Sequence, residues 1–297
     1  MDWTALYGLL PFTLSALLAL ALAISYKLLK KLRARRSPLA TKHIGHVPGQ
    51  QLVTQISDHE TEMLTSVMLM YMALPMMFML WAGLHIDWTN LRWSSVESLL
   101  AIGAAGMFAY GLWGYIRHLH ARDNVADGLL AERVTGMQLN RLVTQGCRVL
   151  HDVPGDGFNI DHIVVAPSGV FAVETKSFRK PKNLPKDEAA RVEYDGNKLL
   201  FPDFATTKPI EQAARQAQWL RRLLHEALGE TYPVIPAVAL PGWFVVRTDA
   251  GKSAEVRVFT PMGKGAEFLA WPPQRLTEQQ RGMIVQVLAS RYPSVPE

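Results

Sequence analysis

NIDHIVVAPSGVFAVETKS, residues 159–177, has two apolar runs on either side of a Ser-Gly pair. Apolar runs of this length joined by a short turn are typical of a β-hairpin. An acid lies near the start of the segment, and a Glu-x-Lys tripeptide lies near its end. The sequence therefore predicts a hairpin with charged residues on otherwise apolar strands.

The length of the turn decides which faces of the hairpin these charges occupy. A two-residue turn at Ser168-Gly169 would pair Asp161 with Lys176 and Ile163 with Glu174 across the strands. Asp161, Glu174 and Lys176 would then share one face. A three-residue loop would move Asp161 to the other face, so this prediction depends on an even-length turn.

Two carboxylates and an ammonium on one sheet face suit a divalent cation beside a phosphate. Oxygen ligands favour Mg²⁺ or Mn²⁺, and such a site is suited to phosphodiester hydrolysis. Glu-x-Lys alone is not specific, because a chain of this length should contain about one by chance. From the pattern alone, a solvated, salt-bridged sheet edge stays open as the alternative.

The segments around the hairpin predict a mixed α/β domain. LLAERVTGMQLNRLVTQ, residues 129–145, has helical spacing, and a second helix is expected from Pro209 to about Leu228. The remaining predicted elements are strands in CRVLHDV, VIPAVAL and WFVV, and short strands around the Asp-Gly turn of ARVEYDGNKLLF. Cys147 is the single cysteine, so an internal disulfide is excluded.

Four of these segments together resemble a known family. The hairpin, AERVTGMQLNRL at residues 131–142, VLHDV at 149–153 and PIEQAARQA at 209–217 are similar to the NERD (nuclease-related) domain, which is linked to the PD-(D/E)xK nucleases. The resemblance covers about residues 120–290 and is strongest over 131–177. It implies an α/β fold of the restriction-endonuclease-like class, with a mixed sheet flanked by helices.

The resemblance also implies roles for particular residues. Asp161 and Glu174 would be the ligands of Mg²⁺ or Mn²⁺, and Lys176 would be the catalytic lysine. Glu132 would be an accessory acid, although Ala131 stands where the family usually has Gly. Each of these roles extends the chemistry already indicated by the hairpin.

Two further inferences have ordinary alternatives. Gln212 matches the family's Pro-x-x-Gln helix start and would be an orienting group, yet glutamine is also common on helix surfaces. For Glu132 the alternative is an exposed acid on the helix surface with no role in a site.

A basic loop follows the hairpin and could neutralise backbone phosphates without reading bases. It contains Arg179, Lys180, Lys182 and Lys186. Asp187 and Glu188 come directly after it, so a plain solvated loop is the alternative interpretation.

The first 120 residues of the chain contain three long runs without a charge. They extend from Trp3 to Tyr26, from Met63 to Ile86 and from Ser98 to Ile116. A helical run of this length can cross a hydrocarbon core of about 30 Å. The first run lacks the basic start of a cleaved signal peptide, which leaves that alternative the weaker one.

Basic residues flank these runs and predict their orientation. KLLKKLRARR follows the first run, and Arg117 and Arg122 follow the third. By the positive-inside rule both clusters face the cytoplasm and the N-terminus lies outside. The third run offers small-residue faces that would suit helix packing or homo-oligomerisation through the transmembrane helices, formed by Ala101, Ala105 and Ala109 with Gly106 and Gly114 nearby.

The predicted organisation is therefore a membrane anchor followed by a nuclease-like domain. Its parts are a transmembrane helix at 1–29, a basic cytoplasmic linker at 30–62, a transmembrane hairpin at 63–116 and a cytoplasmic domain at 117–297. The predicted protein is a multi-pass protein of the bacterial inner membrane that contacts the lipid bilayer and cuts DNA with a divalent metal, with RNA as the second candidate substrate. The alternative is a non-catalytic module that binds nucleic acid or a protein on the same fold.

Overall fold

Two long helices precede a series of short strands and helices in the part of the chain that the computed structural model describes, residues 50–84 and 95–292. The elements are, in chain order, α1 Gln50–Leu84, α2 Ser95–Asn140, a 3₁₀ helix Arg141–Gln145, β1 Arg148–Pro154, β2 Asn159–Ala166, β3 Gly169–Thr175, α3 Lys186–Ala189, β4 Arg191–Tyr194, β5 Leu199–Leu200, β6 Ala205–Thr206, α4 Lys208–Leu228, β7 Val234–Ala239, β8 Phe244–Arg247, α5 Asp249–Ser253, β9 Arg257–Phe259, a 3₁₀ helix Glu267–Ala270 and α6 Glu278–Ala289. The chain divides into two compact units. One contains Gln55–Asp123, and the other contains the described residues up to Thr54 and from Asn124 onward.

Within the first unit, α1 and α2 approach closely at small residues. A Cβ on Gly111 would lie 2.7 Å from Cγ of Met70, and one on Gly114 would lie 2.9 Å from Oγ of Ser66. The same two helices are joined by a contact of 3.2 Å between the Nδ1 atoms of His59 and His118. Small side chains therefore permit the close packing that the sequence predicted for Gly114.

Among the described residues, no helix combines the length and apolar character needed to cross a membrane. The predicted crossing at 1–29 lies outside those residues, and the crossings predicted within 63–116 are not confirmed. The described part of the predicted linker, residues 50–62, is helical and belongs to α1.

The second unit is built on a five-stranded mixed sheet with the order β1-β2-β3-β7-β9. The pairs β1–β2 and β2–β3 are antiparallel, whereas β3–β7 and β7–β9 are parallel. A smaller sheet has the order β6-β5-β4-β8. The predicted fold class, a mixed sheet flanked by helices, is confirmed in this part of the chain.

Apolar clusters lie on both faces of the larger sheet. On one face Ile163, Val165 and Ala172 pack with Leu220 and Leu224 of α4 and with α6 residues. On the other, the buried cluster contains Leu139, Cys147, Val164, Phe171, Val173, Phe259 and Leu269. The strong amphipathicity of α4 explains its position, because its apolar residues recur at helical spacing and are buried while its charged residues face outward.

The hairpin forms, but its predicted turn and pairing are wrong. The turn is Pro167-Ser168, and Ile163 pairs with Ala172 instead of Glu174. Gly169 starts β3 with φ +153°, and a Cβ there would lie 3.0 Å from the carbonyl oxygen of Pro233. A residue without Cβ is therefore needed at the first position of β3, directly after the turn. Because Gly169 occupies that position, the turn lies one residue earlier than predicted.

Candidate active site

A cleft of about 280 Å³ lies beside the start of β2 and the end of β3. We call it the acidic cleft, and its lining residues are Leu52, Glu132, Asp152, Phe158, Asn159, Asp161, Glu174, Thr175, Lys176 and Gln212. All five residues proposed as catalytic from the sequence are among them. Residues far apart in the chain are thus brought together by the starts of α1 and α4, by α2 and by strands β1, β2 and β3.

Asp161 and Glu174 meet across the β2–β3 pair. The last bridged pair before them is His162 with Val173, so continuing the register by one step sets Asp161 opposite Glu174. The predicted register was wrong by two positions, an even number, and the two acids therefore still share a face. The backbone N–H of Thr175 donates to Oδ2 of Asp161 at 2.7 Å and fixes that carboxylate.

Lys176 continues the chain just beyond β3, where its side chain can return to the same face. Its Nζ lies 2.6 Å from Oε1 of Glu174. The Glu174 side chain is only 2% exposed, whereas that of Lys176 is 33% exposed. The backbone N–H of Lys176 also donates to the carbonyl of Ala239 on β7, so the lysine is anchored to the sheet.

The second oxygen of Glu174 is held by a residue that the sequence analysis missed. Nε2 of Gln216 donates to Oε2 of Glu174 at 2.6 Å and lies 3.3 Å from the carbonyl oxygen of Asn159. Gln212, the predicted orienting residue, lines the cleft one turn earlier on α4. Residues four apart share a helix face, so this spacing was a signal that could have identified Gln216.

Asp152 is a second missed residue. It is buried, and its Oδ1 accepts a hydrogen bond of 2.6 Å from Nδ2 of Asn159. The register of β1 against β2 pairs His151 with His162 and Val153 with Ile160, which sets Asp152 level with Asp161. Its φ of +50° is the one positive value of a non-glycine residue in the described chain. Strained backbone of this kind is concentrated at functional sites.

Glu132 on α2 is part of the cleft and not an exposed helix acid. Its pKa is raised to about 7, first by burial and then by the nearby negative charges of Asp152 and Glu174. The pKa of the Asp161 carboxyl is also raised well above its usual range, mainly by burial and then by Glu174 and Glu132. Acids crowded in this way resist being ionised together.

The donor set of the cleft fits a divalent cation. Carboxylate oxygens are the ligands that Mg²⁺ and Mn²⁺ prefer, and a cation would offset both the burial and the repulsion from Glu174 and Glu132 that raise the pKa of Asp161. Within residues 50–84 and 95–292 no group of three or more Asp, Glu, His or Cys side chains is arranged to hold a metal. Mg²⁺ usually needs only one or two protein carboxylates, since water and phosphate complete its shell. Asp161 and Glu174 are sufficient in number for such a site.

The basic loop does not line the acidic cleft. Nε of Arg179 lies 2.7 Å from Oδ2 of Asp127, and Nζ of Lys180 lies 5.6 Å from the ring centre of Trp243. Lys182 is exposed, and Lys186 is the first residue of α3. Two of the four predicted phosphate contacts are therefore engaged within the domain.

His162 and Cys147 lie away from the cleft. His162 is fully buried, and its Nδ1 lies 2.8 Å from Nδ1 of His151. Burial lowers the pKa of His162 to about 3, with a further contribution from His151, so it is a neutral core residue. Burial raises the pKa of Cys147 to about 11, which is typical of an unreactive thiol.

The second unit is a mixed α/β domain with an acidic cleft at the edge of its larger sheet. The family model of NERD, the nuclease-related domain, matches residues 127–241, and the resemblance predicted from the sequence is confirmed over this segment. The matched segment runs from α2 through β7 and contains every lining residue of the cleft except Leu52. Comparison with curated proteins and with solved structures gave no match.

Proposed function

We propose that this protein is a divalent-metal-dependent nuclease that hydrolyses phosphodiester bonds of DNA, with RNA as the second candidate substrate. The observation that carries the proposal is the acidic cleft, where Glu132, Asp161, Glu174 and Lys176 converge within a segment that matches a nuclease-related domain. Such a set combines cation ligands with a positive charge, as phosphodiester hydrolysis requires.

Asp161 and Glu174 would hold the Mg²⁺ or Mn²⁺ ion. When bound, the ion supplies a water of lowered pKa and polarises a phosphoryl oxygen. Thr175 fixes Asp161 through its backbone N–H, and Gln216 fixes Glu174 through its side-chain amide. Both carboxylates are thus oriented before a substrate arrives, which avoids reorganisation during the reaction.

Lys176 would stabilise negative charge, and Glu132 would transfer protons. The Lys176 ammonium lies at the partly exposed rim of the cleft, where it can stabilise negative charge that develops on a phosphate. The pKa of Glu132, about 7, is close to neutral, which is the range that favours proton transfer to and from a reacting group. Glu132 is accordingly proposed as the accessory acid.

Attachment to the bacterial inner membrane, with the nuclease-like domain in the cytoplasm, is the second part of the proposal. It is supported by the charge pattern of the sequence and by the large apolar side chains that the first unit exposes, among them Leu64, Met68, Tyr71, Met72, Leu99, Ile102 and Trp113. Large apolar side chains exposed in this number favour a partner, and a lipid bilayer is the partner proposed. A homo-oligomer formed through these helices would cover part of the same surface.

A non-catalytic binding module is the competing function, and one contact favours it. Both oxygens of Glu174 already have partners, Lys176 and Gln216, as they would in a purely structural ion pair. The two functions differ in whether metal-dependent product is formed.

Cleavage by the purified 297-residue chain tests the proposal. Single- and double-stranded DNA and RNA are incubated with Mg²⁺ or Mn²⁺, with Lys176→Gln as the active-site variant. Lys198→Gln, an exposed position outside the cleft, is the matched control. We expect metal-dependent product from the wild type and the control but not from Lys176→Gln. Uncut substrates of all four kinds would refute the nuclease and leave the binding module.

A further inference from the structure

A second and larger cavity, about 790 Å³, lies at the other end of β3. We call it the basic groove, and its lining residues are Ser168, Phe171, Arg221, Val234, Ile235, Pro236, Arg247, Glu255, Arg257, Lys264, Gly265, Phe268, Trp271, Pro272, Pro273 and Arg275. It shares no lining residue with the acidic cleft. Its volume is within the range of clefts that hold ligands.

Positive charge dominates the basic groove. Five of its lining residues are Lys or Arg, and one, Glu255, is acidic. Glu255 lies 3.8 Å from Arg221 and is 73% exposed, so it neutralises little of the charge. Across the described part of the chain, Arg247, Arg257, Lys264 and Arg275 have no ion-pair partner within 4.0 Å.

Two of the five cations that line the basic groove are held in place by hydrogen bonds to backbone carbonyl groups. Nη1 of Arg257 donates to the carbonyl oxygen of Lys252 at 2.6 Å, and Nη2 of Arg221 donates to that of Val234 at 3.0 Å. Both guanidinium groups are therefore held in place before an anion binds, and that of Arg257 has no carboxylate partner within 4.0 Å among the described residues. Like charges gathered in a concave surface raise the local concentration of anions.

An aromatic surface adjoins the cations. Trp271 is 59% exposed, an unusual state for so large an apolar ring. The backbone N–H of Trp271 donates to the carbonyl oxygen of Phe268 at 3.2 Å, and the Phe268 ring packs edge-on against Phe171 and Phe259, with ring centres 6.4 and 5.3 Å apart. The indole therefore follows a residue anchored in the apolar core, and its exposed ring is available for stacking.

We propose that the basic groove binds single-stranded nucleic acid, with phosphates on the cations and a base stacked on Trp271. Backbone-tracking cations beside an exposed aromatic ring are the combination used for single strands, because the base of an unpaired nucleotide offers a free face. A polyanion without bases would contact the cations but would have no ring to stack on the Trp271 indole. The inference rests on the proposed function only in the choice of polymer, since it concerns binding at a surface separate from the acidic cleft.

Anisotropy of a fluorescein-labelled oligo-dT, measured with the purified 297-residue chain in EDTA, tests the groove without cleavage. The Lys264→Gln/Arg275→Gln variant removes two exposed cations and should flatten the plot of log Kd against log salt by about 1.4, since each single-strand phosphate contributes about 0.7. Lys198→Gln/Arg141→Gln removes the same charge outside the groove and should leave the slope unchanged. Trp271→Ala should weaken binding roughly 5- to 150-fold, whereas Trp271→Phe should keep most of it.

An oligomer of the same length with abasic positions separates stacking from charge. The abasic oligomer should bind the wild type with a higher Kd than oligo-dT does. The Trp271→Ala variant should bind the two ligands with the same Kd. Equal binding of both by the wild type, or displacement of oligo-dT by a mononucleotide at a similar concentration, would overturn the inference. So would groove variants with wild-type affinity and salt slope. If the protein binds oligo-dT through the groove but yields no product with Mn²⁺, only the proposed nuclease activity is refuted. If it cuts DNA while the groove variants bind oligo-dT like the wild type, only the proposed role of the groove is refuted.

Discussion

Gln216 Nε2 donates a hydrogen bond to Oε2 of Glu174 at 2.6 Å, and Gln212 lines the same cleft one helical turn earlier. The contact joins the middle of α4 to the end of β3 and holds the carboxylate that also pairs with Lys176. Geometry therefore assigns the orienting role to Gln216, whereas resemblance to the family assigned it to Gln212.

Substituting the two glutamines separately distinguishes these assignments. Gln216→Ala should lower kcat by about 10- to 100-fold, since a hydrogen bond to a charged group contributes roughly 1.5–3 kcal/mol. KM should change little, because a misplaced carboxylate mainly affects the transition state. Gln218→Ala, an exposed position on the same helix, is the control for helix stability. A larger loss in Gln212→Ala than in Gln216→Ala would restore the assignment made from the sequence.

The fold class and the convergence of the charged residues could be predicted, because they depend on patterns within short segments. Two apolar runs on either side of a Ser-Gly pair located the hairpin, and Pro209 at the start of a helical pattern located α4. The four-residue spacing could have made Gln216 a second candidate, but the choice between Gln212 and Gln216 could not be made from the sequence. It depends on how α4 lies against the sheet, which packing of its buried residues such as Leu220 decides.

The hairpin illustrates a prediction that was right for an incomplete reason. Gly169 was expected inside the turn, but its mirror-image extended conformation begins β3 and the turn lies at Pro167-Ser168. The error of two positions preserved the alternation of faces, so Asp161 and Glu174 still converge. An error of one position would have separated them.

The two carboxylates and the lysine should have separable effects on metal binding. Asp161→Asn and Glu174→Gln should each weaken Mn²⁺ binding at least tenfold, since each removes a charged ligand. Lys176→Gln should bind Mn²⁺ as well as the wild type or better, because it removes a positive charge 2.6 Å from Glu174. Isothermal titration with Mn²⁺ measures this without substrate, and equal affinities in all three variants would show that the cation binds elsewhere.

The proposed topology can be tested in cells. Reporter fusions after residue 40 and at the C-terminus should both register as cytoplasmic, and a fusion after Asp87 should register as external. The expectation follows from the basic residues that come after the first and third charge-free runs. Opposite signals from the two inner positions would contradict a three-crossing anchor.

Asp152 has a strained backbone conformation, and its negative charge raises the pKa of a neighbouring acid. Its φ of +50° is tolerated best by Asp and Asn among residues with a Cβ. Its carboxylate accepts from Asn159 and, after burial, is the largest contributor to the raised pKa of Glu132. The residue therefore affects both the stability of the β1–β2 hairpin and the electrostatics of the cleft.

Two substitutions at Asp152 separate these effects. Asp152→Ala should lower the free energy of unfolding by about 1–3 kcal/mol, because it removes the acceptor for Asn159 and forces alanine into a left-handed conformation. Asp152→Asn keeps the conformation and an acceptor oxygen while removing the negative charge, so its free energy of unfolding should stay within about 1 kcal/mol of the wild type. Urea unfolding at pH 7 measures both, with exposed Asp203→Ala as the control. Removal of the charge should also lower the pKa of Glu132 from about 7, since Asp152 raises it. An Asn variant as unstable as the Ala variant would mean that the charge itself, and not the conformation and its hydrogen bond, stabilises the hairpin.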